Sequence, residues 1–181
     1  MVSGRFEVSK LIATLDIAED MTNSTVIRGR SYEDAIAYLF ERIPGCQVQR
    51  NSLNRFKSEE VDLSVGNYRD VDGLKMLPEI FLIECKNWSQ AVDSMAVAFF
   101  ATKIRHRGCA LGVLVAANGV TGDPIERTAA QQQATQALAE GVKILLVTTA
   151  DLRKIASVGD LVSVLHRRFL DLHAAGTMSL A

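Results

Sequence analysis

The spacing of hydrophobic positions changes several times along the chain, and each change marks an element. Over residues 8–20, Leu11, Ile12, Leu15 and Ile17 predict a short helix, and the polar run 21–25 predicts a turn. From about 29 to 43, Tyr32, Ala35, Ile36, Leu39, Phe40 and Ile43 take the i, i+3, i+4, i+7 spacing of an amphipathic helix. Pro44-Gly45 ends it. The alternating residues 46–51 predict an edge strand. In 60–65, Val61, Leu63 and Val65 alternate with Asp62 and Ser64, which predicts a strand with the three apolar residues on one face. The connection 66–78 holds Gly66, Asn67, Asp72, Gly73 and Pro78 and reads as a long loop between antiparallel strands. A further strand follows in 79–88, with Phe81, Ile83 and Cys85 on one face and Leu82, Glu84 and Lys86 on the other.

The second half changes character. Residues 89–106 form a helix pattern rich in small residues, and 110–118 are nearly continuously apolar, as in a central strand buried on both faces. An Ala- and Gln-rich helix is predicted from Pro124 to Glu140, a second buried strand at 143–148, a short helix at 151–156 and a last helix at 160–173. The resulting order is α-α-β-β-β-α-β-α-β-α-α, an α/β domain with a mixed sheet whose antiparallel part comes first.

With 181 residues the chain has the size of one domain. Its 20 Lys and Arg against 21 Asp and Glu exclude a uniformly basic nucleic-acid coat and a polyacidic tail. The local distribution is uneven. Residues 58–84 carry seven acids against Arg69 and Lys75, whereas 42–57 (Arg42, Arg50, Arg55, Lys57) and 98–122 (Lys103, Arg105, Arg107) carry no acid. An acidic centre between basic segments suits a metal site that must hold a polyanion; the plainer reading is that the basic stretches are solvated. Cys46, Cys85 and Cys109 fit neither a disulfide framework nor a zinc site. No apolar run approaches a membrane span and the N-terminus has no secretory pattern, so the expected compartment is the cytoplasm.

The chemistry concentrates in two strands. If they pair antiparallel across the 66–78 loop, Asp62 falls beside Glu84, and Lys86 shares the Glu84 face. Glu84 interrupts an otherwise apolar strand, and a buried carboxylate needs a partner. One reading is a salt bridge between Glu84 and Lys86. The other is a divalent-metal site in which Asp62, Glu84 and the backbone carbonyl of Cys85 supply hard oxygen ligands, and Lys86 orients a water or stabilises developing negative charge.

Asp62 followed by Glu84-Cys85-Lys86 resembles the PD-(D/E)xK nuclease superfamily, although Glu60-Val61 stands where the nominal motif has its proline. Arg28-Gly29-Arg30-Ser31-Tyr32-Glu33 resembles the helix opening of Mrr-type catalytic domains. Leu114–Asn118 followed by an Ala-rich helix and Gly141–Leu152 resembles their second half. The resemblance implies a restriction-endonuclease-like three-layer αβα fold, a central mixed β-sheet flanked by helices. It divides the chain into an N-terminal helical extension at 1–27, a nuclease core at 28–156 and a C-terminal helix at 157–181. It also implies that Glu33 faces the metal site, directly or through water, that the cofactor is Mg²⁺ with Mn²⁺ as a substitute, and that the substrate is DNA, with RNA left open. Many nucleases of this fold act as dimers or as subunits with an ATPase, so a homodimer or a subunit of a larger nuclease or ATPase complex is expected. The expected activity is a metal-dependent endonuclease; the alternatives are an inactive nucleic-acid-binding or assembly module of the same fold, and an interaction subunit using the small-residue helix 89–102. Trp88, just past the site, reads as a core cap or as a base-stacking ring, and the run Gln131–Gln133 as a solvated helix face.

Overall fold

In a computed structural model, residues 6–53, 59–121, 130–176 and 178 are described. The elements follow the expected order: α1 (Val8–Glu19), α2 (Thr25–Phe40), β1 (Cys46–Leu53), β2 (Glu60–Asn67), β3 (Ile80–Lys86), α3 (Ser94–His106), β4 (Leu111–Ala116), α4 (Ala130–Ala139), β5 (Lys143–Thr148), α5 (Thr149–Leu152) and α6 (Val158–Ala175). Helices α5 and α6 start two residues before the expected positions, and two other starts differ by more. Helix α2 begins at Thr25 because the Ser24 hydroxyl accepts the Ile27 N–H, and α3 begins only at Ser94 because Asp93 accepts the Ala96 N–H. Each cap satisfies an otherwise unpaired first-turn donor. Residues 124–129 of the expected Gln-rich helix lie outside the described residues.

One sheet carries the strands in sequence order, β1-β2-β3-β4-β5. The β1–β2 and β2–β3 pairs are antiparallel, and β3–β4 and β4–β5 are parallel. Period-2 alternation feeds two cores. Phe81 and Ile83, Val113 and Val115, and Leu145 and Val147 pack with α1, α2, α5 and α6 on one side. Leu82, Leu114, Ile144 and Leu146 pack with α3 and α4 on the other. This is a three-layer α/β arrangement. Glycine is required at Gly112 of β4: a Cβ there would lie 2.6 Å from Phe100 Cζ, so its absence lets α3 seat closely on the sheet.

The 66–78 connection is not a slack loop. Asn67, buried at the end of β2, donates Nδ2 to the carbonyls of Leu74, Leu77 and Pro78 at 2.8, 3.2 and 3.2 Å, and Leu74 and Leu77 are fully buried. The edge strand β5 is also tied: buried Arg168 of α6 donates to the Leu146 carbonyl and, at 2.9 Å, to Asp151, whose carboxylate closes the capping box of α5. At the opposite edge, β1 is largely exposed. Among the described residues, no helix is long and apolar enough to cross a membrane.

Candidate active site

The two antiparallel strands that carry the acidic residues do not stay paired. The β2–β3 ladder runs from Gly66↔Ile80 to Leu63↔Ile83, and β3 continues alone along β4 as far as Lys86↔Ala116. The parting begins one residue before Asp62 and one before Glu84. Across from Asp62 on β1, Asn51 takes φ of 49°, a left-handed conformation that marks a local distortion of the hairpin. Released from β3, Val61 packs in the Leu82 core and not with Leu63 and Val65. The expectation that these three valine and leucine side chains share one face is therefore corrected: the alternation breaks where Asn51 and Asp62 drop out of the β1–β2 ladder, between the pairs Arg50↔Leu63 and Ser52↔Val61.

At the mouth of the gap, Asp62 reaches back to β3 and its Oδ2 accepts the Cys85 N–H at 2.6 Å. Burial, followed by the negative charge of Glu84, pushes the Asp62 carboxyl up to about 6, against the pull of that N–H. Glu84 is only 3% exposed and lies on the Leu82 face, which α3 covers. Lys86 Nζ donates to Glu84 Oε1 at 2.7 Å. A second ammonium group arrives from α3: Lys103 Nζ donates to Oε1 at 3.0 Å and to Oε2 at 2.9 Å. Burial pushes the Cys85 thiol well up, and the backbone N–H of this residue is the group that meets Asp62.

Glu33 is half-buried on α2. Burial raises its carboxyl, while a hydrogen bond with Asn51 and the charge of Arg50 pull the other way, and its own charge is felt at Asp62. Among the described residues, no three His, Cys, Asp or Glu side chains form a cluster able to hold a metal ion unaided. Asp62 and Glu84 are hard-oxygen donors near enough for the charge of Glu84 to raise the Asp62 carboxyl. That chemistry fits a divalent cation completed by water or phosphate.

The family model of a restriction endonuclease catalytic domain, Mrr_cat, matches residues 25–156. The chain belongs to this family. It is a family of PD-(D/E)xK nucleases, generally dependent on divalent metal, and the five-strand mixed sheet between helices is the restriction-endonuclease-like fold. A nuclease family implies a nucleic-acid substrate. The match runs from the first turn of α2 to just past α5 and so includes Glu33, Asp62, Glu84 and Lys86. No curated protein matches the chain.

Sequence reasoning missed Lys103, counting it among exposed basic residues. The available signal was its place between Phe100, Ala101 and Ile104 on the inward stripe of α3. The basic segments themselves are largely occupied: Arg42 lies over the Tyr38 ring at 3.5 Å, Arg50 pairs with Asp34, Arg105 with Glu140, and Arg107 donates to the Ser52 carbonyl. Arg55 and Lys57 lie outside the described residues. Asn87, also missed, donates Nδ2 to the carbonyls of Ala18 and Arg28 at 2.8 and 3.2 Å, fixing the ends of α1 and α2 against the strand that carries Glu84. Gln131 is buried, correcting the solvated-face reading at that position. Trp88, 42% exposed, is no core cap.

Proposed function

We propose that the chain is a metal-dependent endonuclease that hydrolyses phosphodiester bonds, in DNA, by an activated water. The observation that supports this most is the convergence of Asp62, Glu84, Lys86 and Lys103 where β2 and β3 part, inside the region matched by the nuclease family. Asp62, Glu84 and the Cys85 carbonyl would hold Mg²⁺, or Mn²⁺ in its place, with Glu33 contributing through water. The ion would supply a Lewis acid for the phosphate and a more acidic bound water.

The two lysines have different tasks. The Lys103 side chain is 8% exposed and grips both oxygens of Glu84, so it acts as a fixed counter-ion that holds the carboxylate in place. Lys86, 22% exposed, touches one oxygen from the open side. With Lys103 in place, Lys86 can leave Glu84 without stranding a buried charge, and so can orient the attacking water or neutralise charge on the phosphate. The three free thiols are in keeping with a reducing cytoplasm.

The test is plasmid and oligonucleotide cleavage with Mg²⁺ or Mn²⁺. Nicking that is lost in EDTA and in Lys86→Ala supports the proposal. One observation favours a second reading, a non-catalytic binding module: Glu84 is already satisfied by two ammonium groups. Binding that survives both changes, with no cleavage of any substrate, would establish that reading instead.

A further inference from the structure

Two half-exposed aromatic rings stand beside the two lysines of the site. Trp88, two residues past Lys86, is 42% exposed, and its ring centroid lies 5.5 Å from Lys86 Nζ. Phe99 of α3 is 53% exposed, and its centroid lies 5.3 Å from Lys103 Nζ. Both ammonium groups bind Oε1 of Glu84, so each ring is one side chain away from the same carboxylate oxygen. Met95, 78% exposed, precedes Phe99 by four residues and extends the same stripe of α3. The segment carrying Trp88 is anchored, because its carbonyl accepts Asn118 Nδ2 at 2.6 Å.

Scattered apolar side chains on a surface need no explanation. This group differs: it comes from two separate elements and adjoins both lysines that hold Glu84, of which Lys86 stands on the open side where a phosphate would sit. A phosphodiester placed there carries a base on each side. In an uninterrupted duplex the faces of those bases are covered by their neighbours, whereas an unpaired nucleotide offers a free π-face to an aromatic ring.

We infer that Trp88 and Phe99 form a base-stacking platform, and that the site takes nucleic acid with unpaired nucleotides at the scissile phosphate in preference to continuous duplex. Single strands and the single-stranded stretches of branched molecules meet this requirement. The inference rests on the nuclease reading of the same site.

Trp88 is the one tryptophan of the chain, so intrinsic fluorescence reports on that ring alone. The full-length protein is titrated in EDTA with a single-stranded oligodeoxynucleotide, the same sequence as a duplex, and an abasic strand of equal length. The single strand is expected to quench Trp88 emission and to bind about tenfold more tightly than the other two, as stacking of one base allows. Phe99→Ala and Trp88→Leu each weaken the single strand about tenfold and leave the abasic strand unchanged. Unaltered thermal unfolding of both variants confirms that they are folded. Equal binding of duplex and single strand without quenching, or single-strand binding indifferent to Phe99→Ala, overturns the inference. If Lys86-dependent cleavage of duplex accompanies that result, the stacking platform alone falls. If the wild type binds none of the three probes and cleaves nothing, the nuclease reading falls with it.

Discussion

Asp62→Asn is expected to stabilise the protein at neutral pH while removing its activity. The Asp62 carboxyl titrates near 6 in the fold against an ordinary value of 3.8. At about 1.4 kcal/mol per pH unit, full ionisation would cost the fold about 3 kcal/mol. Asp62 is partly exposed, and screening and local relaxation reduce this to about 1–2 kcal/mol. The folded chain binds this proton more tightly than the unfolded chain. The penalty is therefore complete above about pH 7 and fades as pH falls through 6 towards 3.8. Asparagine has nearly the same shape, keeps an oxygen to accept the Cys85 N–H, and carries no charge to be repelled by Glu84. The assay is urea denaturation of both proteins in EDTA at about pH 7.5 and about pH 4. The variant should be more stable by about 1–2 kcal/mol at the higher pH and equal at the lower. Added Mg²⁺ should then stabilise the wild type more than the variant. A variant less stable at neutral pH, or a difference that ignores pH, would refute the claim that Asp62 is held ionised against its surroundings.

Three further predictions follow from the packing. Lys103→Met should destabilise by about 2–4 kcal/mol by leaving buried Glu84 with one partial counter-ion, whereas Lys86→Ala should cost about 1 kcal/mol or less because Lys103 remains; denaturation of both variants, with Glu84→Gln as the second arm of a double-mutant cycle, checks the asymmetry. Gly112→Ala should cost about 1–3 kcal/mol in thermal unfolding, since its Cβ meets Phe100 at 2.6 Å and must push α3 off the sheet. Tyr32→Phe should cost about 1–2 kcal/mol by breaking the buried 2.9 Å hydrogen bond between its hydroxyl and Thr149 Oγ1, and Thr149→Val in the same background should recover part of it.

The order of elements was legible because both faces of β3, β4 and β5 are buried and α2 carries a clean apolar stripe. The pair Asp62 and Glu84 was legible because charge interrupts apolar alternation there. What escaped depended on partners far away in the chain. Val61 keeps the alternation in sequence but packs on the opposite face, and no local pattern shows that the alternation of β2 breaks at Asp62. Lys103 is a basic residue in a basic run; only the position of Glu84 beneath α3 makes it a buried counter-ion. Trp88 sits where a strand stops, and whether such a ring is covered depends on what packs over it, which here leaves it 42% exposed.

The two edges of the sheet are unlike, and this bears on how the domain can be elaborated. On the β5 side a guanidinium occupies a backbone acceptor of the outermost strand and is itself pinned by Asp151. That acceptor is closed to an added strand, which works against pairing of a very apolar strand with another molecule. On the β1 side the Arg107 guanidinium also takes one backbone acceptor, the Ser52 carbonyl, but among the described residues Gln47, Gln49 and Arg50 of this strand stay exposed. New strands, whether from an insertion, a fused domain or a neighbouring chain, have their opening there, on the hairpin whose second arm carries Asp62.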